Sequence, residues 1–153
     1  MRLLCLKALF PVVALTVACH ETNSPPVVLR SFVLESVDTQ PVPVVIHASG
    51  GDTTLLYWAG LTLYEGGTAD IAAHTRQVHP MLPPREATDI SHYSYRIIGD
   101  SLALDYPCHD TGTCVAPPFG KFTSATTVTL YYHDYGNIGQ LVTYLYRGSY
   151  APD

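Results

Sequence analysis

The sequence predicts an all-β domain whose antiparallel strands form an up-and-down meander that closes into a small barrel. Alternation of apolar and polar residues dominates from Ser31 onward, which is typical of half-buried strands. Short turns, several of them containing glycine, separate these runs, and no amphipathic helical pattern of useful length lies between them. Strands joined by hairpins without crossover helices pair antiparallel, and closure into a barrel removes exposed sheet edges.

The turn signals divide the chain into about eight or nine expected strands. These are Ser31–Val37, Leu55–Tyr57, Leu61–Tyr64, Ala69–Val78, His92–Ile98, Ser101–Tyr106, Gly120–Ser124, Thr126–Tyr132 and Gln140–Arg147. Glu65–Thr68 and Gly99–Asp100 are predicted hairpin turns, because glycine adopts the positive φ that such turns require. Gly60 is expected to separate two short strands, and His79–Pro84 is expected to form a long loop.

The first 18 residues have the pattern of a signal peptide. Arg2 and Lys7 flank the apolar stretch Ala8–Ala18, whose 11 residues are too few to cross a bilayer. The stretch Leu15–Cys19 resembles the lipobox of bacterial lipoproteins, in which the cysteine is acylated and begins the mature chain. Thr16 departs from that pattern, since leucine is usual three positions before the cysteine. The resemblance implies lipidation of Cys19; plain secretion and an uncleaved anchor are the alternatives.

This reading divides the chain into three parts. Residues 1–18 are the predicted signal peptide, residues 19–29 the lipidated cysteine and a flexible tether, and residues 30–150 a single barrel domain. Pro25 and Pro26 favour an extended tether over a helix or a central strand. A domain of this length buries enough surface for one hydrophobic core.

The remaining cysteines indicate a disulfide. Of the four cysteines, Cys5 would leave with the signal peptide and Cys19 would be acylated, so that Cys108 and Cys114 remain as a pair. Two cysteines around a polar, glycine-containing segment of an exported protein favour a local disulfide. A zinc site would need a second ligand pair, and a redox motif would have two residues between the sulfur atoms. Both remain as weaker alternatives.

The charge excludes nucleic acid as an expected partner. The chain has 13 acidic and 8 basic residues, and removal of residues 1–18 takes away Arg2 and Lys7, which leaves a net charge of −7. Nucleic-acid phosphates demand clustered lysine and arginine. The same charge argues against direct binding to an anionic membrane, so the lipid on Cys19 would provide the membrane anchor.

Tyrosines mark the expected lumen. All 11 tyrosines lie beyond the signal peptide, and alternation places Tyr93, Tyr95, Tyr106 and Tyr132 on the inward face as tentative ligand-binding residues. On the last strand either Val142, Tyr144 and Tyr146 or their neighbours face inward. Tyrosine combines a large apolar surface with a hydroxyl, which suits an amphipathic pocket. Small eight-stranded barrels are also often filled, so a pocket and a packed core both remain open.

No catalytic, cofactor or metal residues are predicted. His109-Asp110 and His133-Asp134 would suggest a catalytic dyad, but no nucleophile elbow, metalloprotease helix or phosphate loop accompanies them. His74 and His92 could meet across neighbouring strands, although the sequence does not fix that pairing. The domain is therefore expected to be non-enzymatic.

Three stretches resemble a known family, the small lipocalin-like bacterial lipoproteins of uncharacterised function. They are Phe32–Pro43, the hairpin Leu61–Val78 and the closing step Tyr144–Arg147. The resemblance implies a barrel anchored in the cell envelope, at the outer membrane or the periplasmic face, with no catalytic residues. Such a protein is expected to bind a small amphipathic ligand. The alternative is a filled barrel that contacts another envelope protein through loops 79–90 and 107–119.

Overall fold

A computed structural model of the protein describes residues 25–106, 116–133 and 141–150, and for residues 149 and 150 it describes the backbone alone. This part of the chain contains ten β-strands: Val28–Val37 (β1), Gln40–Pro41 (β2), Val44–Ser49 (β3), Asp52–Tyr64 (β4), Thr68–His79 (β5), Leu82–Ile98 (β6), Ser101–Asp105 (β7), Phe119–Ser124 (β8), Thr127–His133 (β9) and Leu141–Tyr150 (β10). Within the described ranges, no helix has the length and apolarity needed to cross a membrane.

Eight of these strands close into an antiparallel up-and-down barrel, as the sequence predicts. The order around the wall is β1, β10, β9, β8, β7, β6, β5 and β4, and β1 pairs with β4 to complete the ring. Every pairing is antiparallel. The predicted hairpins are present, since Gly66 and Gly67 connect β4 to β5 with φ of 86° and 80°, and Gly99 begins the β6–β7 turn with φ of 63°.

The prediction that Gly60 breaks a strand is wrong. Gly60 pairs with Val33 of β1 on one side and with Ala72 of β5 on the other, within the continuous strand β4. The irregularity of this strand is a bulge between Leu56 and Trp58. Glycine weakens a strand but does not end it where neighbours on both sides supply backbone hydrogen bonds.

The predicted loop at residues 79–84 is also wrong. Pro80 and Met81 form a tight turn, and β6 begins at Leu82. Pro83 and Pro84 fit in this strand because, in the part of the chain that the structure describes, the first half of β6 pairs with β5 alone. A residue without an N–H is tolerated where one side of a strand is unpaired. Most of the 79–90 segment is therefore strand, which corrects its expected role as a loop.

Two short strands were not predicted. β2 pairs with the end of β1, and β3 pairs with the first half of β4. The chain passes from β2 to β3 through Val42 and Pro43, so one segment leaves the edge of β1 and joins the edge of β4. It thus occupies the place where β1 and β4 separate.

The two ends of the barrel differ in closure. We call the end with the β4–β5, β6–β7 and β8–β9 turns the lower end, and the end with the β3–β4 and β5–β6 turns the upper end. In the lower half β1 pairs with β4 between Val28 and Val33. In the upper half these two strands part, and β7 ends at Asp105 while β6 continues upward. Among the described residues, the wall is therefore closed in the lower half, whereas in the upper half β1 parts from β4 and β6 pairs with β5 alone.

Large apolar side chains fill the lower half. Seven of its core residues are buried: Phe32, Leu61, Leu63, Ala69, Leu102, Val128 and Leu130. Two glycines make room for them. A Cβ on Gly120 would lie 2.7 Å from Leu130 Cδ2, and one on Gly148 would lie 2.9 Å from Phe32 Cε1. Burial of these side chains is the main stabilising contribution of the lower half.

Candidate functional site

The upper half of the lumen contains a cavity of about 190 Å³. Its apolar wall comes from β3, β4 and β5, with Ile46, Leu56, Ala59, Ile71 and Ala73. Ala59 and Ala73 face each other across the β4–β5 pair, and Asp89 of β6 continues the same row. Because these two neighbouring positions carry only a methyl group, they leave space in the lumen at this level. The small residues thus produce the cavity.

Four tyrosines form the opposite part of the lining: Tyr93 of β6, Tyr132 of β9, and Tyr144 and Tyr146 of β10. The rings of Tyr132 and Tyr144 are tilted by 51° with centroids 4.5 Å apart. The register of β9 and β10 explains this packing, because Tyr132 pairs with Val142 and Leu130 pairs with Tyr144, which places both rings on one face. Tyr146 lies deepest and is 1% exposed.

Burial raises the pKa of three of these phenols. Loss of contact with water raises the pKa of Tyr132 well above its ordinary value, and a hydrogen bond that its hydroxyl donates to Tyr146 raises it further. Burial also raises the pKa of Tyr146 and, to a smaller degree, that of Tyr144. At neutral pH the cavity therefore presents neutral hydroxyl groups, which both donate and accept hydrogen bonds.

The remaining lining residues are polar and lie on β5 and β6. They are Thr75, Asp89 and Ser91. Asp89 and Ser91 alternate with Tyr93 along β6, so all three side chains point to the same face. Ser91 is half-buried and Asp89 is exposed at the mouth. The cavity thus combines apolar walls, neutral phenols and one carboxylate near its entrance.

The lower end of the lumen is plugged. The Phe32 and Phe122 rings have centroids 6.1 Å apart, and the Arg30 guanidinium carbon lies 5.3 Å from the Phe122 ring centroid. The Tyr95 hydroxyl donates a hydrogen bond to the Tyr64 carbonyl at 3.0 Å. Access to the cavity is therefore from the upper end.

Asp38 fixes the upper rim next to the tyrosines. Its carboxylate oxygen Oδ1 accepts hydrogen bonds from the Thr143 N–H at 2.7 Å and from the Thr143 hydroxyl at 2.8 Å. Its own N–H donates to the Thr143 carbonyl at 2.8 Å. Asp38 has φ of 46°, a left-handed conformation that aspartate tolerates in turns. The β1–β2 turn is thereby attached to β10, which carries Tyr144.

The structure separates the four tyrosines that were predicted for the lumen. Tyr93 and Tyr132 line the cavity. Tyr95 points to the same side of β6 but belongs to the plugged lower end. Tyr106 follows β7 and is about half exposed, and its ring meets that of Tyr93 edge-on at 5.7 Å.

Sequence reasoning missed Asp89 and Ser91. Alternation did extend upstream from Tyr93 through these two residues, but the expected loop at residues 79–84 hid the long strand to which they belong. The sequence left open which residues of the last strand face inward. In the structure, Tyr144 and Tyr146 line the cavity.

A larger groove of about 550 Å³ lies on the outer side of the wall, near the lower end. There Asp70 Oδ1 is 2.6 Å from His92 Nδ1, and the Tyr64 hydroxyl donates to Asp70 Oδ2 at 3.1 Å. Burial, followed by the hydrogen bond to Asp70, raises the pKa of Tyr64. These residues lie side by side on β4, β5 and β6, facing away from the lumen. The groove is open to solvent along the wall.

The histidines in the described part of the chain do not assemble into one site. His74 pairs with Thr88 and His92 with Asp70, so the register of β5 and β6 keeps the two rings apart. The His74 ring stacks on Trp58 with centroids 6.4 Å apart. Among the residues that the structure describes, no group of three or more His, Cys, Asp or Glu side chains could hold a metal ion.

The predicted lipidation site Cys19, the predicted disulfide between Cys108 and Cys114, and the steps His109-Asp110 and His133-Asp134 lie wholly or partly outside the described residues. Their expected roles remain predictions.

The fold and the lumen define a class, a small closed up-and-down β-barrel with an internal, tyrosine-lined cavity. Comparisons of the chain with protein-family models, with curated proteins and with solved structures gave no significant match.

Proposed function

We propose that this protein is an exported, lipid-anchored barrel of the bacterial cell envelope that binds a small amphipathic molecule in its lumen and catalyses no reaction. The observation that carries the proposal is the tyrosine-lined cavity in the upper half of the barrel. Export and anchoring rest on the signal-like stretch Ala8–Ala18 and on the lipobox-like cysteine, Cys19. The lipid would hold the domain at the membrane, and the cavity would bind the ligand.

The size of the cavity limits the ligand. At about 190 Å³ it is slightly larger than the engineered cavity of about 150 Å³ that binds benzene in another protein. Typical pockets for drug-sized ligands begin at about 300 Å³. The lumen therefore suits a molecule with one ring or a short chain, and a longer chain would have to extend through the open mouth.

The lining explains how such a molecule would be held. The apolar wall around Leu56 and Ile71 releases water when an apolar body enters, which contributes about 25 cal/mol for each Å² buried. The hydroxyls of Tyr132, Tyr144 and Tyr146 lie on the other side and would orient a polar group by hydrogen bonds. Since the lower end is plugged, the polar group of a bound ligand would face the phenols or the upper mouth.

A second candidate function is contact with another envelope protein. Met81 and Leu82, at the β5–β6 turn, are 87% and 58% exposed, and Ile90 further along β6 is 56% exposed. Met81 and Leu82 are neighbours, and contiguous exposed apolar side chains are typical of an interaction surface. The other segment expected to take part, residues 107–119, is described only from residue 116 onward.

The first stage of the test concerns the anchor. The wild-type chain should be recovered in the membrane fraction, and its mature form should begin at Cys19 and carry added acyl mass. Cys19→Ser should move the protein to the soluble fraction. A soluble, unacylated wild-type chain would leave plain secretion in place of the anchor.

The second stage uses the soluble Cys19→Ser protein and asks whether the lumen is occupied. Native mass spectrometry before and after organic extraction should show a bound small molecule that extraction removes. Addition of small aromatic and short-chain amphiphiles should raise the melting temperature, because a ligand that binds only the native state stabilises it by RT ln(1 + [L]/Kd). One bare mass in both spectra and no thermal shift with any compound would reject the binding function and favour the partner-contacting barrel.

A further inference from the structure

We propose that the lumen is selective for a small organic cation, an amine or quaternary ammonium group on an apolar or aromatic body. This inference rests on the proposed binding function and specifies the chemical class of the ligand. It follows from the charges and π systems around the cavity and from the position of one carboxylate at the mouth.

Asp89 is the charged residue among those that line the cavity in the described part of the chain. It lies on the inward face of β6, in register with Ala73. Its carboxylate forms no ion pair with any residue that the structure describes. A carboxylate at the mouth of an apolar cavity attracts a cationic group and repels an anionic one.

Cationic side chains lie away from this position. Arg85 is on the same face of β6 but four residues toward the turn, which corresponds to about 13 Å along a strand. Arg76 pairs in register with Glu86 and has the opposite parity to Ala73 and Thr75, so it faces away from the cavity. Arg30 lies over the Phe122 ring at the plugged lower end. No arginine or lysine among the described residues lines the cavity.

The tyrosines add to the preference for a cation. Four phenol rings surround the cavity, and the faces of such rings attract a cation within about 6 Å of their centroids. The phenols are neutral at physiological pH, since tyrosine ordinarily ionises at about 10 and burial raises the pKa of Tyr132 and Tyr146 above that value. Their hydroxyl oxygens can accept hydrogen bonds from an ammonium group. Carboxylate, hydroxyl oxygens and ring faces all favour positive charge.

The test compares three probes of nearly equal size, benzylamine, benzyl alcohol and benzoate, with the soluble Cys19→Ser full-length protein. Isothermal titration calorimetry should give benzylamine a Kd at least about fivefold lower than benzyl alcohol, the ratio expected from one partly solvated ion pair. Benzoate should bind most weakly. Asp89→Asn, which keeps the shape of the side chain, should abolish the difference between the amine and the alcohol.

Glu65→Gln is the matched control, because it removes one negative charge at the β4–β5 turn, at the opposite end of the barrel. It should keep the preference for benzylamine. Equal binding of benzylamine and benzyl alcohol, or a preference that persists in Asp89→Asn, would overturn cation selectivity while the lumen remained a binding site. Absence of binding by all three probes would also overturn cation selectivity. Uptake of other amphiphiles would then show separately whether the lumen binds a ligand.

Discussion

Both halves of the lumen have small residues on the inward face, but the space beside them is filled in the lower half and empty in the upper half. In the lower half, the space left by Gly120 and Gly148 is filled by Leu130 and by the ring of Phe32. In the upper half, the space left by Ala59 and Ala73 stays open and becomes the cavity. Small residues therefore serve close packing at one end of the barrel and create a binding site at the other.

The backbone explains the difference. A filled core requires side chains from every direction, and in the lower half the closed ring of eight strands supplies them. In the upper half β1 separates from β4, and β7 ends while β6 continues, so fewer side chains converge on the axis. The cavity thus follows from where strands end and part, and the tyrosines reach into it from β9 and β10.

The largest expected effect comes from adding one methyl group to the filled half. In Gly148→Ala the new Cβ would overlap the Phe32 ring and the Ser31 carbonyl oxygen, and backbone paired in a closed barrel cannot retreat easily. We expect a loss of about 3 kcal/mol in the free energy of unfolding, at the upper end of the range for overpacked cores. Denaturation by guanidinium chloride, followed by circular dichroism, measures it.

Gly60→Ala is the control, since Gly60 also lies within a paired strand but on the outer face. Its new Cβ would have its nearest contacts at 3.7 and 3.8 Å, which is ordinary packing distance. We expect a gain of about 0.4–1 kcal/mol in the free energy of unfolding, because alanine has less conformational freedom than glycine in the unfolded chain. Equal destabilisation by both variants would show that the lower half is no more tightly packed than the outer wall.

The closed half was largely predictable from the sequence. The alternation of Leu102 and Leu104, and of Val128 and Leu130, marks inward positions, and the glycines at 66, 67 and 99 mark the hairpins. Local patterns are sufficient there because, from β4 to β10, each strand pairs with its neighbour in sequence. Closure then follows from the need to cover the sheet edges.

The open half was less predictable because its strands break local rules. β3 is exposed along most of its length, so it lacks the alternation of a half-buried strand. β6 includes Pro83 and Pro84, which signal a loop, and they fit because no described strand pairs with the second edge of β6 there. Asp89 could be assigned to the cavity only after that strand was known to begin at Leu82. These properties depend on which strands end early, and no short sequence pattern encodes that.

The next effect is smaller and belongs to the open half. The pKa values of Tyr132 and Tyr146 are raised by burial in the folded state, whereas in the unfolded chain tyrosine ionises at about 10. The folded state therefore retains protons that the unfolded state releases, so stability is complete below pH 10 and falls as the pH rises above it. Each residue should account for about 1.4 kcal/mol of lost stability at pH 11.

Equilibrium unfolding at pH 8 and pH 11 measures this loss, and tyrosinate absorbance at 295 nm should show phenols that ionise only on unfolding. Tyr132→Phe should reduce the loss of stability at pH 11 by the contribution of one residue. At pH 8 the same substitution removes the hydrogen bond to Tyr146, which should cost about 1 kcal/mol. Tyr131→Phe, on the outer face of the same strand, controls for loss of a hydroxyl at pH 8. Ionisation of all tyrosines near pH 10 in the folded protein would contradict the burial of Tyr132 and Tyr146.

The smallest effect on stability should come from filling the cavity. Ala73→Val directs a larger side chain toward the cavity, and it should change the free energy of unfolding by less than about 1 kcal/mol. The same substitution at Ala69, four residues away on the same face of β5, enters the filled half at a position that is 0% exposed. It should cost about 1–3 kcal/mol through overpacking.

Ligand binding should reverse this order, and that reversal is the sharpest test of the comparison between the halves. Ala73→Val occupies part of the cavity and should weaken small-amphiphile binding at least about tenfold, equivalent to 1.4 kcal/mol. Ala72→Val, on the outer face beside Gly60 and Ile90, should leave binding unchanged. If Ala73→Val destabilised the fold as much as Ala69→Val, the upper half would be packed in solution. If it left ligand affinity intact, the ligand would have to bind outside the lumen, and the outer groove beside Asp70 would become the site to examine.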